Sequence, residues 1–211
     1  MGSVGLLYVG AVLFVNGCSL LGWVKGKDHA PMDLFVGILQ VITPLYLIFT
    51  SGGDAAVILG ASGLFLFGFT YLYVCMTQFF NLNGTGLGWF CGFVVLAAIV
   101  YAFFNIRDGG AAGWIWGVEW ISWAWLWLLF WLILSMGRTS LTRFTGAVCL
   151  VQGLVTGLIP ALILLGQPSW FGWGLCYFIA GVGIIDAIVF YALVKTPSAS
   201  AAATSEAEAA A

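Results

Sequence analysis

Seven apolar runs, each long enough to cross a lipid bilayer, constrain the fold more than any other feature of this sequence. A bilayer core about 30 Å thick takes about 20 residues of helix per crossing. Only 7% of the residues are charged, far below the roughly 25% of an ordinary soluble domain, so the surface must face lipid. We therefore predict an all-α fold, a polytopic membrane helical bundle with seven transmembrane helices. The predicted spans are 4–24, 31–50, 55–77, 87–105, 114–136, 141–165 and 170–194.

The segments between these runs are short and rich in Gly, Asn, Asp and Ser, which is typical of turns. They leave no room for a soluble domain between helices, so we predict one transmembrane channel domain over 1–195. The Ala/Ser-rich tail, 196–211, has no large apolar residue and is predicted to be a disordered cytoplasmic tail. The first run has no basic residues before it and is expected to be a retained helix.

The basic residues predict the orientation in the membrane. In a seven-span topology Arg107 lies alone on one side, and cytoplasmic loops are the ones enriched in Lys and Arg. The N-terminus is therefore predicted to lie outside, and the C-terminus in the cytoplasm. The residues on the predicted cytoplasmic side are Lys25, Lys27, Arg138, Arg143 and Lys195.

Several function classes are disfavoured. A net charge of −2 with dispersed basic residues excludes nucleic acid as a partner. The only histidine, His29, lies in a predicted loop where we expect it to be solvated, and one histidine makes no metal site. The five cysteines occur singly in apolar runs and are interpreted as packing residues. We expect no catalytic residue, metal or cofactor, and no enzyme activity.

A stripe of indoles marks the fifth run: Trp116, Trp120, Trp123 and Trp127 are spaced by four, three and four residues. On a helix they fall within an arc of about 60° and extend over roughly 16 Å. A membrane-interface belt would keep Trp at the helix ends, whereas two of these lie near the middle. The stripe is either the wall of a passage or a packing surface.

Polar residues inside other runs favour a passage, because a buried amide in hydrocarbon needs a partner or a cavity. Such amides are Asn16, Gln40 and Gln152. In two runs, residues at helical spacing share one face of the predicted helix. Val9 and Leu13 share a face with Asn16 in the first run, and Phe69 and Tyr73 share one in the third.

Two intramembrane acids, Glu119 and Asp186, are functional candidates by position. Glu119 lies near the outer end of its run, off the indole stripe, where a wet vestibule can hold it. Asp186 can hydrogen-bond across a helix interface. Neither has the surroundings of a catalyst.

Longer motifs resemble the AmiS/UreI family of short-chain amide transporters and urea channels. They are Leu-Leu-Tyr-Val-Gly at 6–10, Asn-Gly at 16–17, Phe-Val-Gly at 35–37, Phe-Gly-Phe-Thr-Tyr-Leu-Tyr at 67–73, the Trp stripe and Gln-Gly-Leu-Val-Thr-Gly-Leu-Ile-Pro at 152–160. The resemblance implies a bacterial inner-membrane protein in which six protomers form a ring, each with its own aromatic-lined pore. The implied lining is Val9, Leu13, Asn16, Phe69, Tyr73, Trp116, Trp120, Trp123, Trp127 and Gln152.

The sequence departs from the acid-activated branch of that family in three ways. Gln152 stands where the acid-gated channels carry a glutamate. The 51–54 loop is short where they have a long segment with ionisable residues. The seventh run is absent from the six-helix urea channel and is similar to the amide-transporter branch. These differences favour a constitutive amide or urea permease.

The physical function of such a pore is to lower the cost of moving an amide out of water, roughly 4–8 kcal/mol into an alkane. Flat, neutral solutes fit between aromatic faces, and ions find few groups to replace their hydration. We expect passive flux of urea or short-chain amides, with membrane lipids as the surrounding partner. Two alternatives stay open: a proton-coupled carrier using Glu119 or Asp186, and a structural subunit that transports nothing.

Overall fold

Seven apolar helical spans are present in the computed structural model, which describes residues 2–195, and they confirm the predicted all-α membrane fold. The sixth span is made of two α-helices, α6 Thr142–Gln152 and α7 Ile159–Gly166, joined by a π-helical stretch, Gly153–Leu158. The seventh span is α8, Trp173–Lys195. The α-helices are α1 Gly2–Leu20, α2 Ala30–Thr50, α3 Ala55–Phe80, α4 Thr85–Asp108, α5 Gly110–Leu134, α6 Thr142–Gln152, α7 Ile159–Gly166 and α8 Trp173–Lys195.

The helix ends follow from local chemistry. α1 ends at Leu20, short of the predicted residue 24, because Gly22 and Gly26 turn the chain with φ of 84° and 57°. α3 begins at an Asp54 cap whose side chain accepts from the N–H groups of Ala56 and Val57, and it ends at Asn81 in the left-handed conformation. The predicted disordered tail, 196–211, lies outside the described residues.

α1, α5 and the sixth span form the centre of the bundle. About half of each is buried, against 6% of α8. α1 packs on α2 and along the whole sixth span, α4 packs along α5, and α2 along α3. α8 lies against α5 at the periphery, so most of its apolar surface is left for lipid.

Glycine lets α1 touch the backbone of the sixth span. A Cβ on Gly10 would lie 2.6 Å from the carbonyl oxygen of Gly153, and a Cβ on Gly157 would overlap the Cα of Gly10. Gly17 of α1 and Gly146 of α6 approach in the same way, each about two helical turns from the first contact. Small residues at such crossings are how membrane helices gain close packing.

The π-helical stretch lies just before Pro160. Proline has no N–H, so the carbonyl of Thr156 loses its usual helical donor, and the wider winding accommodates the change. π-helical turns inside α-helices occur often at functional sites. Here the stretch is packed between α1 and the buried face of α5.

Candidate functional site

Three cavities follow one another through the bundle, and each shares wall residues with the next. The N-terminal cavity, beside the start of α1, measures about 290 Å³; the central cavity measures about 40 Å³; and the loop cavity, beside the α1–α2 and α3–α4 loops, measures about 320 Å³. Phe67 and Trp123 line both the first and the second, while Asn16 and Phe130 line both the second and the third. The arrangement is a narrow waist between two wider spaces.

Aromatic rings form the waist. The ring of Phe67 in α3 stands edge-on to Trp123, with centroids 4.9 Å apart, and 4.8 Å from Trp127. On the N-terminal side, Trp120 stacks on Tyr101 of α4 at 4.6 Å. Gly63 leaves the space for Trp120, since a Cβ there would lie 2.8 Å from the indole. Rings from three helices thus hold one another in place.

The indole N–H groups at the waist are already engaged. Nε1 of Trp123 donates to the hydroxyl of Thr156 at 3.0 Å, and Nε1 of Trp127 donates to Thr70 at 3.2 Å. Each threonine hydroxyl donates in turn to the carbonyl four residues earlier in its own helix. Both indoles are therefore anchored by their polar edge, and what they offer the cavity is apolar ring surface.

A buried polar cluster lies between α1 and the start of α2. Nδ2 of Asn16 donates to Oδ1 of Asp33 at 2.7 Å, and Nδ1 of His29 lies 2.9 Å from Oδ2 of the same carboxyl group. The expectation that His29 is solvated was wrong, because only 7% of His29 is exposed. His29 is the residue directly before α2. The helix start puts His29 and Asp33 one turn apart.

Seven of the ten predicted lining residues lie on cavity walls. All seven lie on α1 and α5, and they follow one another along the row of cavities. They are Val9, Trp116 and Trp120 in the N-terminal cavity, Trp123 between it and the central cavity, Leu13 and Trp127 in the central cavity, and Asn16 between it and the loop cavity.

The structure places Phe69, Tyr73 and Gln152 away from the walls of these three cavities. Phe69 is 49% exposed and stacks on Phe65, and the hydroxyl of Tyr73 lies against Gly86 of α4. The face of α3 that lines the waist is instead Phe67, Thr70, Tyr71 and Val74. Thr70, a hydroxyl inside an apolar run, was the signal that could have identified this face.

Gln152 connects two helices. Its Nε2 donates to the carbonyl of Ser122 in α5 at 2.9 Å, and its backbone carbonyl accepts from Thr156. Its side-chain oxygen has no partner within residues 2–195. Gln40 makes a similar connection, donating to the carbonyl of Gly5 at 3.1 Å, and it also lines the N-terminal cavity.

The two intramembrane acids lie outside the walls of the three cavities. The expectation of a wet vestibule around Glu119 was wrong, since the residue is 0% exposed and neither carboxyl oxygen has a hydrogen-bond partner in the described chain. It shares its face of α5 with Ile115, which packs against Ile179 of α8. Asp186 lies on α8, half-buried.

Seven lipid-crossing helices around a row of cavities with an aromatic waist define an integral membrane protein of the transporter and channel class. The model of the AmiS/UreI family of transporters matches residues 1–168. The chain belongs to the AmiS/UreI family.

Relatives of known name agree with this membership. A putative transporter protein AmiS2 from Rhodococcus erythropolis is 47% identical over 78% of this chain and 79% of its own. A putative amidate substrates transporter protein from Mycolicibacterium smegmatis is 45% identical, over 81% and 78%. The crystal structure of the Helicobacter pylori urea channel matches with a TM-score of 0.70 at 31% identity, over 79% of this chain and 98% of that one.

Proposed function

We propose that the row of cavities is a passive pathway for urea or short-chain amides, with the aromatic waist as its narrowest part. The observation that carries the proposal is the order of the cavities, in which the smallest lies between two that are several times larger and shares walls with both. The class of solute comes from the relatives, named for amidate substrates and for urea.

The chemistry of the waist suits a flat neutral solute. Its wall is built of aromatic and aliphatic side chains with a few polar groups, Asn16 and Thr70 among them. Within the described chain, no acidic or basic side chain lines it. Ring faces can contact the flat faces of an amide, and the scarcity of polar groups leaves an ion without substitutes for its water.

Passive flux is favoured over proton coupling by where the acids lie. A coupled carrier needs a titratable group that senses the solute, and Glu119 and Asp186 line none of the three cavities. His29 does line the loop cavity, but it is paired with Asp33. The proton-coupled carrier and the non-transporting subunit become outcomes of the experiment below.

The pathway is proposed to be open without acid activation. The loop that joins α2 to α3 consists of only four residues, Ser51 to Asp54. This loop therefore carries no long ionisable segment. A location in the bacterial inner membrane, with the loop cavity on the cytoplasmic side, is part of the same proposal, and assembly into a ring of six stays a prediction.

Stopped-flow light scattering on proteoliposomes tests the proposal, with urea, acetamide and glycerol at pH 7 and pH 5. We expect urea or acetamide flux well above empty liposomes, similar at both pH values and independent of a pH gradient. Trp127→Ala should change the relative rates of the solutes. Trp89→Ala, a lipid-facing indole 58% exposed on α4, is the control and should leave them unchanged.

Two results would contradict the proposed passive pathway. Accumulation against a concentration gradient that follows an imposed pH gradient would indicate the coupled carrier. Folded protein with no flux above the liposome background would indicate the structural subunit.

A further inference from the structure

The buried cluster of Asn16, Asp33 and His29 lies where the waist meets the loop cavity. Asp33 is 0% exposed, and each of its two carboxyl oxygens has one partner, Nδ2 of Asn16 at 2.7 Å and Nδ1 of His29 at 2.9 Å. Asn16 lines both the central and the loop cavity. The cluster thus joins α1 to α2 at a point that the proposed pathway passes.

The carboxylate determines which way the Asn16 amide faces. An ionised carboxyl group only accepts hydrogen bonds, so it must meet the NH₂ end of the amide. The reversed amide would place two oxygens at hydrogen-bond distance and leave both without a donor. Asp33 therefore directs Nδ2 of Asn16 toward α2, and the amide oxygen of Asn16, Oδ1, points away from the carboxylate.

That oxygen is without a donor in the protein. Within residues 2–195, Oδ1 of Asn16 has no hydrogen-bond partner, although it is buried. A buried acceptor with no donor is unfavourable, and anything that supplies an N–H beside it gains a hydrogen bond. Urea and primary amides carry such N–H groups next to a flat carbonyl.

We infer that Asp33 sets the solute preference of the pathway by holding Asn16 with its amide oxygen free to accept an N–H from the passing solute. Asp33 acts as a positioning residue, and Asn16 is the group that contacts the solute. His29 occupies the second carboxyl oxygen and so keeps Asp33 in the same position. The inference rests on the proposed function.

A purely structural role makes different predictions. If the cluster only joined α1 to α2, its loss would lower stability and reduce every flux alike. A positioned acceptor instead affects solutes according to whether they can donate an N–H. Acetamide and dimethyl sulfoxide have equal numbers of heavy atoms, and only acetamide has N–H groups, so the ratio of their fluxes separates the two roles.

The transport experiment uses full-length protein in liposomes and compares wild type with Asp33→Asn and Asn16→Leu. We expect acetamide flux above background to fall about tenfold in both variants, while dimethyl sulfoxide flux changes by less than about twofold. Cys149→Ala is the control, since it removes another buried bond to α1, from Sγ to the carbonyl of Leu13, outside the cavity walls. It should leave the flux ratio unchanged.

A spectroscopic measurement tests the orientation itself. In protein labelled with ¹⁵N-asparagine, one side-chain proton of Asn16 should resonate downfield because it is bonded to a carboxylate, and Asn16→Leu assigns the signal. Asp33→Asn should move that signal upfield. An unmoved signal would overturn the inference.

Different results would contradict the proposed function and the role of Asp33. Wild-type protein that passes no acetamide would overturn the proposed function and this inference with it. Wild-type acetamide flux with an unchanged flux ratio in folded Asp33→Asn would overturn the inference alone.

Discussion

At the scale of single residues, the two threonines that accept from the waist indoles explain how large rings keep a defined position in an apolar surrounding. An indole N–H in a protein interior must find an acceptor, and Thr70 and Thr156 provide it from α3 and from the π-helical stretch. Each hydroxyl is itself oriented by a bond within its own helix. The aromatic waist therefore depends on two small side chains beside it.

Replacing either threonine tests this dependence. Thr70→Val and Thr156→Val keep the shape and leave an indole N–H unsatisfied, so each should cost about 1–3 kcal/mol of unfolding free energy. The serine variants should retain most of the stability. Thr50→Val is the control, because Thr50 makes the same bond to the carbonyl four residues earlier but accepts from no indole.

The measurement is thermal unfolding in detergent, followed by circular dichroism. Lower midpoints for both valine variants, with the serine variants and Thr50→Val close to wild type, are expected. Equal midpoints for Thr156→Val and Thr50→Val would show that the indole bond contributes nothing.

At the scale of helices, the sequence predicts spans well and faces less well. Length and apolarity determine the seven crossings, and the indole spacing gives the inward face of α5 directly. For α3, the four-residue spacing and the family resemblance favoured Phe69 and Tyr73, whereas Phe67 and Thr70 line the waist. A lipid-facing helix is apolar on all sides, so hydrophobic periodicity does not distinguish inside from outside.

Other features of the site depend on contacts between distant segments. The His29 and Asp33 pair follows from where α2 begins, and element boundaries are uncertain in sequence-based prediction. Gln152 precedes the π-helical stretch, and its bond to Ser122 depends on how the sixth span packs against α5. These contacts are tertiary, and single-sequence patterns do not encode them.

The crossing of α1 over the sixth span provides a prediction at this scale. Gly10→Ala should destabilise the protein by about 1–3 kcal/mol, because the new Cβ would lie 2.6 Å from the backbone oxygen of Gly153 and the helices would have to separate. Gly60→Ala on α3 is the control, since its Cβ would meet no atom within 4 Å. Unfolding midpoints in detergent give the comparison, and equal midpoints would contradict the close contact.

At the scale of the whole molecule, the cavity walls come from the first five helices and the loops between them. α8 contributes none of the lining residues, and the aligned urea channel covers 79% of this chain while 98% of that channel is covered in return. The family model ends at residue 168, so the seventh span lies outside the part of the chain that this model matches. The span packs on α5 and contributes no wall to the three cavities.

Removing that span should preserve transport. Protein ending at Gly166 is expected to keep acetamide flux within about threefold of wild type, with lower thermal stability because the packing of Ile115 against Ile179 is lost. Flux is measured per folded protein in liposomes. A truncated protein that folds and carries no acetamide would show that α8 is needed for the pathway.

Acetamide flux after the waist is filled by a larger side chain tests whether solutes cross the protein through the central cavity. Leu13 lines the central cavity, which measures about 40 Å³, whereas its neighbour Phe14, turned about 100° from it around the same helix, is 41% exposed and lines none of the three cavities. Leu13→Trp should reduce flux to the level of empty liposomes, and Phe14→Trp should leave it near wild type. Folded Leu13→Trp protein with wild-type flux would contradict a route through this waist.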